Sequence, residues 1–250
     1  MQIDRFAYLN RWRRRHPAEK AGIAILCLLA CLLSRSVMVP LLAAFFMGLL
    51  TVVGARIPWR TYWRLLLVPL GFLLFGSLAI LIDLPANGFD IREIRLATGN
   101  VPVAALLVSR SFGAVCSLLF LALTTPMTDI LTLLRRCGFP ALLLELMLLA
   151  YRQIFLLLDT AARIRQAQEA RLGYLSWFGG LRSFGLLGAA LLRQTFQQSR
   201  QLHLALQSRG YRDDIRVLSP EFTFSLWALA AGGGAGLSLI VLALIAPAWP

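Results

Sequence analysis

Residues 101–126 read VPVAALLVSRSFGAVCSLLFLALTTP. Between Val101 and Leu123 the only charged side chain is Arg110. A helix of that length is about 34 Å long, against a bilayer hydrocarbon core of about 30 Å. The stretch therefore predicts a membrane-spanning helix, with Asn100 as its cap and Pro102 in its first turn. Composition agrees. Of the 250 residues, 58% are hydrophobic and 15% charged, whereas soluble domains carry roughly 45–50% and about 25%. Lipid is needed to cover that excess of apolar surface.

Working outward, Leu65 to Ile82 predicts another span. Its Pro69, Gly71 and Gly76 are tolerable inside a packed membrane bundle. The stretch Asp83 to Asn100 between these two spans is polar, turn-rich and nearly balanced in charge, as expected of an outer loop. Val37 to Val53 predicts the second span. Arg56, Arg60 and Arg64 follow it, four apart and so on one face of any helix there. Trp59, Tyr62 and Trp63 among them read as an interfacial aromatic belt. The first span begins at Pro17. Its apolar part, Ala21 to Leu33, becomes long enough if Lys20 and Arg35 snorkel, and Ser34-Arg35-Ser36 is the turn after it. At the other end Ser219-Pro220-Glu221 starts a last span, Phe222 to Ile245, whose Gly232 to Gly234 suggest close packing or a bend.

Between the fourth and last spans the character changes. Thr125-Pro126 is a cap followed by a first-turn proline, and Asp129 suits the positive end of a helix. A short amphipathic helix follows, stopped by Gly138 and Pro140. Ala141 to Leu172 reads as one long helix, apolar in its first half and rich in Arg, Gln and Glu in its second, ended by Gly173. After an aromatic, glycine-rich linker from Tyr174 to Gly180, Leu181 to Arg209 is a second long helix, ended by Gly210. Gly185, Gly188 and Ala189 give it small-residue faces. The expected fold is all-α: a polytopic membrane protein with about five transmembrane helices and a cytoplasmic module of amphipathic helices. Its parts are residues 1–123 (four spans), 124–219 (the module) and 220–250 (the last span).

Charge sets the orientation. The net charge is +13, nearly all from arginine, since Lys20 is the only lysine. The tail to Lys20 holds six basic residues, and Arg163 to Arg216 holds nine against three acidic. Both belong in the cytoplasm by the positive-inside rule. Four spans separate them, so the two assignments agree, and a fifth puts Pro250 outside. The basic excess is thus read as topology and not as nucleic-acid binding. The apolar stretch after Arg11 to Arg15 lacks a small-residue cleavage site followed by a polar mature region, so the first helix is expected to be retained.

Chemistry of the catalytic kind is hard to find. Cys27 and Cys31 share a helix face, but a soft-metal site would want further thiolate or imidazole ligands. The only histidines, His16 and His203, lie in basic, polar surroundings. The pair reads as small buried apolar residues, and no disulfide framework is suggested. A membrane transferase would want an aspartate cluster for magnesium. Asp213-Asp214, the only adjacent acidic pair, sits beside Arg212 and Arg216 as solvated surface. No span holds a histidine or a lysine apart from Lys20, and there is no phosphate-binding glycine loop. A self-sufficient carrier would be supported by inverted repeats, and none is visible. Arg110 inside its span is costly unless it faces the bundle or a wet cavity. Either it is functional or it hydrogen-bonds helix ends, with Asp83 and Asp159 as conceivable partners.

The two long helices end alike, in Gln168-Glu169-Ala170-Arg171-Leu172-Gly173-Tyr174 and in Leu206-Gln207-Ser208-Arg209-Gly210-Tyr211-Arg212. In each a small residue precedes an arginine, and a glycine and tyrosine follow within three positions. An arginine at a helix C-terminus is favoured by the dipole. A guanidinium beside a small neighbour also offers a planar fork to a partner's carboxylate.

These ends resemble the two Ala-Arg-Gly motifs of the T component of energy-coupling-factor ABC importers, the cobalt-type CbiQ family. Ser208-Arg209-Gly210 is similar to the second motif, with Ser for Ala. Ala170-Arg171-Leu172 is similar to the first, with Leu172 where glycine is common and Gly173 displaced by one. Thr124-Thr125-Pro126, Asp129 and Tyr151-Arg152 also resemble the family's central region, and the likeness covers roughly residues 17–216. The resemblance implies a non-catalytic coupling subunit of the cell inner membrane whose two amphipathic coupling helices each dock an ABC ATPase. It further implies a membrane substrate-capture (S or CbiM-like) partner. ATP is then used by the partners, and no cofactor is bound by this chain. Cobalt is the expected cargo, with nickel or a vitamin as alternatives, and the site residues are Arg171 and Arg209 with Ala170, Ser208, Gly173 and Gly210.

Overall fold

The structure, a computed structural model, describes residues 2–13, 15–83, 95–96, 101–210 and 226–245. The chain is an all-α polytopic membrane protein. Helix α1 spans Gln2–Leu9, α2 Pro17–Leu33, α3 Met38–Leu49 and α4 Trp59–Leu81. They are followed by α5 Val101–Thr124, α6 Met127–Arg136, α7 Ala141–Ala170, α8 Trp177–Ser208 and α9 Leu226–Ile245. Helix α3 runs on into a π-helical turn, Leu50–Gly54. A two-residue antiparallel pairing, β1 Ile82–Asp83 with β2 Arg95–Leu96, joins the flanks of the loop between α4 and α5. The Asn100 cap and the Ser219-Pro220-Glu221 helix start lie outside the described residues. Trp59–Leu78, Val101–Thr124 and Ala141–Ala170 are each long and apolar enough to cross a membrane, and Met38–Gly54 and Gly232–Ile245 are shorter apolar stretches. Ala141–Ala170 lies in the segment that the sequence assigns to the cytoplasmic module.

Contacts divide the chain into two units, Met1–Ile130 with Pro220–Pro250, and Leu131–Ser219. In the first, α5 is the hub: α1, α2, α3 and α4 all pack on it, and α9 packs on α2. Its core joins Cys27, Met47, Tyr62, Cys116, Phe120 and Leu123. Bilayer association lacks a hydrophobic drive between helices, so close approach at small residues carries the packing. Gly113 of α5 is one such point, where a Cβ would stand 2.6 Å from the Cys31 sulfur and 2.8 Å from the Pro40 carbonyl oxygen. Gly232 and Gly236, one turn apart on α9, are two more, against Ile23 and Leu26 of α2. Gly233 and Gly234 face open space, so close packing falls on one face of the glycine run.

Several side chains go elsewhere than the sequence suggests. Lys20 does not snorkel. It is 1% exposed, and its ammonium donates to the Trp12 carbonyl at 3.1 Å and the Thr124 carbonyl at 3.0 Å. The last carbonyls of α5 lack intrahelical partners, and a buried cation satisfies one of them. Asn10 serves the same end, its side-chain amide donating to the carbonyls of Leu123 and Thr124, each at 3.2 Å. Tyr62 leaves the aromatic belt for the core, while Trp59 and Trp63 stay exposed. Arg56 precedes α4 with φ 57°, so of the three spaced arginines only Arg60 and Arg64 share a helix face.

In the second unit α7 and α8 form an antiparallel hairpin. Gln168 bonds to Ser183, Thr160 to Gln194 and Gln153 to Gln198, in opposite order along the two helices. Helix α8 starts at Trp177, earlier than its apolar pattern suggests, because the Ser176 hydroxyl accepts the Gly179 N–H at 3.1 Å as an N-cap. Gly185 and Gly188 have nothing within 4 Å of an added Cβ, so they are not close-packing points in this chain.

Substituting Gly232→Leu should therefore destabilise the α2–α9 contact by about 1–3 kcal/mol, the usual cost of overpacking. Gly233→Ala should be close to neutral. Thermal unfolding of the two purified variants checks the contrast.

Candidate functional site

The two arginine-bearing helix ends have nearly the same backbone. Arg171 caps α7 with φ −93° and ψ 14°, and Arg209 caps α8 with φ −93° and ψ 8°. The next residue is left-handed in both cases, Leu172 with φ 60° and Gly210 with φ 70°. At the end of α7 the Gly173 N–H reaches the Gln168 carbonyl at 2.9 Å and the Leu172 N–H reaches that of Glu169 at 3.0 Å. That pair of bonds defines a Schellman stop. At the end of α8 the Gly210 N–H bonds to the Gln207 carbonyl at 3.1 Å, the equivalent inner bond. The structure thus aligns Ala170-Arg171-Leu172 with Ser208-Arg209-Gly210 residue for residue.

Leu172, and not Gly173, makes the first turn, although a left-handed L-residue costs about 1–2 kcal/mol. Gly173 is small for another reason. A Cβ there would lie 2.7 Å from the Ser183 hydroxyl, which donates to the Gly173 carbonyl at 2.8 Å. Gln168 ties the turn together, its amide donating to the Ser183 carbonyl at 2.9 Å while its side-chain oxygen accepts from the Tyr174 hydroxyl at 2.8 Å. Neither Gln168 nor Ser183 stands out in the sequence, because their partners lie across the hairpin.

Ala170, Arg171, Ser208 and Arg209 are all exposed. Among the described residues neither guanidinium holds a hydrogen bond or an ion pair. Nearby, Arg165 and Glu169 pair at 2.7 Å along α7. Because the hairpin is antiparallel, Arg171 lies at the start of α8 and Arg209 at its end. A helix of 32 residues separates the two by about 48 Å. Two exposed, planar cations, each at the end of a long helix, suit binding to carboxylates on separate surfaces.

Arg110 is a different kind of group. Its Nε donates at 2.8 Å to the Ser34 carbonyl, and one terminal nitrogen donates to the same oxygen. Ser34 is buried at the C-terminal end of α2. Arg110 thus hydrogen-bonds to a helix end, the second of the two possibilities open from the sequence. Cys27, Cys31 and Cys116 are buried and Cys137 is exposed, all as free thiols.

Comparison with known proteins gives a consistent picture. The family described as cobalt transport protein, CbiQ, matches residues 9–218. The cobalt transport protein CbiQ of Rhodobacter capsulatus is 40% identical over 222 residues, 87% of each chain. That of Salmonella typhimurium is 29% identical over 227 residues, 86% of this chain and 99% of its own. A putative fused cobalt transport protein CbiMQ of Methanocorpusculum labreanum is 30% identical over 198 residues, 75% of this chain and 33% of its own.

Two substitutions follow from the geometry. Leu172→Gly should relieve the left-handed turn, stabilising it by about 1 kcal/mol and slowing hydrogen exchange at the Gly173 amide. Arg110→Leu should destabilise the membrane unit by about 1.5–3 kcal/mol, the worth of a charge-assisted hydrogen bond, as read by thermal unfolding.

Proposed function

The chain belongs to the cobalt transport protein family CbiQ, and we propose that it is the transmembrane coupling (T) subunit of an energy-coupling-factor ABC importer for cobalt. The observation that carries the reading is the pair of matched helix ends: two exposed arginines in the same capped geometry, held apart by the length of α8. Each is a socket-seeking cation for one of two ABC ATPase subunits. Closure of the ATPases on ATP would draw the two ends of the hairpin with them, and α7 and α8 would pass that movement on. The chain itself hydrolyses nothing.

The second partner is a membrane substrate-capture subunit of the CbiM kind. A relative whose name joins CbiM and CbiQ in one chain supports that pairing. The seat is the cell inner membrane, with the N-terminus and the α7–α8 hairpin on the cytoplasmic side, a reading that the basic excess there supports. The exposed apolar residues Leu142, Leu146 and Ile154 in the first half of α7 support a module that lies against lipid or the capture subunit.

Removing one side of a buried arginine–carboxylate contact costs about 2–5 kcal/mol. Arg171→Ala/Arg209→Ala should therefore abolish co-purification of the ATPases, or uncouple ATP hydrolysis from cobalt uptake, while the membrane unit still folds. Arg193→Ala/Arg200→Ala, on exposed mid-helix positions of α8, should change little. Equal, mild effects in the two pairs would reduce the matched ends to helix capping and overturn the reading.

A further inference from the structure

Helices α3 and α4 both pack on α5 but scarcely on each other. The seam between them is an open furrow floored by α5. It consists of two clefts, of about 350 Å³ and about 520 Å³, that share Leu41 and Phe112 in their linings. Each lies in the roughly 300–1,000 Å³ range of ligand clefts. The lining is apolar almost throughout, and Leu41, Phe45 and Leu74 within it are exposed. Water does not fill such a surface inside a bilayer, so an apolar body lies in it.

One mouth of the furrow is chemically distinct. Trp59 and Trp63 line it, with ring centroids 5.3 Å apart and edges exposed. Arg60 and Arg64 flank them on α4. Arg56 stands outside between Ala55 and Ile57, which are 1% and 3% exposed and so turn the intervening side chain outward through its left-handed backbone. Among the described residues none of these three guanidiniums holds a hydrogen bond or ion pair. The π-helical turn Leu50–Gly54 borders the same mouth, with Val52 and Val53 in the lining. It is fixed from behind by Trp12, whose ring would stand 2.8 Å from a Cβ on Gly54.

We infer that this furrow binds an anionic glycerophospholipid, with an acyl chain along the α3–α4 seam and its phosphate at Arg60 and Arg64. Three cations without an ion pair among the described residues and two indoles at one mouth, above an apolar trough, match a lipid that is negative at one end and hydrocarbon at the other. A transmembrane helix of a partner would fill the trough but leave the arginines unanswered. The site shares no residue with the helix ends proposed to dock ATPases, so the two readings fail separately.

The test uses the full chain purified in detergent, with native mass spectrometry and thermal unfolding as readouts. The probes are dioleoyl phosphatidylglycerol, dioleoyl phosphatidylcholine and glycerol phosphate. Phosphatidylglycerol should be retained about tenfold or more over phosphatidylcholine, and should raise the unfolding temperature more. Arg60→Gln/Arg64→Gln should remove that preference. Val53→Trp, at an exposed position that fills the mouth without entering the core, should weaken retention of both lipids. Arg193→Gln/Arg200→Gln should behave as the unaltered chain. Equal retention of the two lipids, an undiminished preference in the Arg60/Arg64 variant, or equal stabilisation by glycerol phosphate would each overturn the proposal. So would a Val53→Trp chain that retains both lipids as before, since the furrow would then play no part.

Discussion

The membrane unit depends on how the C-terminal end of α5 is closed. Every one of α1 to α4 packs on that helix, so its position fixes theirs. Its final carbonyls, at Leu123 and Thr124, lie in a buried setting where an unpaired acceptor is expensive. Asn10 and Lys20 supply the donors. A buried ammonium would itself be costly, and two carbonyl acceptors together with the nearby charge of Asp129 compensate it. Asp129, 1% exposed, is held in turn by Arg13 in an ion pair. Because Asp129 sits in the first turn of α6, the same polar knot that closes α5 fixes where the chain departs from it.

The other end of the bundle is closed by the same physics with a different residue. Arg110 reaches back from within α5 to the Ser34 carbonyl beyond α2. Ser34 and Ser36 meanwhile lock the α2–α3 turn, the Ser34 hydroxyl donating to the Ser36 carbonyl at 2.8 Å and accepting the Ser36 N–H at 3.2 Å. Between these two polar closures the packing is made of small residues and sulfur: Gly113 against Cys31, and Gly232 and Gly236 against Ile23 and Leu26. In lipid, where apolar contact alone gives little drive to associate, the polar ends and close approaches supply the specificity.

What the sequence shows follows from how local each feature is. Spans are legible because length and hydropathy decide them, and α5 matches its expectation to within a residue. Helix stops are legible where glycine makes them, as at Gly138 with φ 84° and at Gly210. The fate of Lys20 is not, since an end-of-span lysine snorkels or caps according to which carbonyls happen to lie beside it, 104 residues away in this case. Tyr62 is similar, because helical position alone does not say which of three neighbouring aromatics turns inward. At the candidate site the arginines are visible by repetition. The turn at Leu172 is not, because leucine is a poor turn residue and the adjacent Gly173 draws the eye.

That misdirection is itself informative about the site. An ordinary helix stop would put the left-handed turn on the available glycine one position later and avoid the strain at Leu172. Here the turn stays one residue after the arginine, as it does at Gly210, and Gly173 is instead occupied by its contact with Ser183. The geometry kept constant between the two ends is the position of the guanidinium relative to the chain reversal. Capping needs only that some residue near the end be cationic, and the dipole falls off over a whole turn. A docking contact has a narrower tolerance, because a bidentate fork must meet a carboxylate in its own plane. A leucine in the left-handed turn at that position, matching Gly210, fits the docking contact proposed above better than it fits helix capping alone.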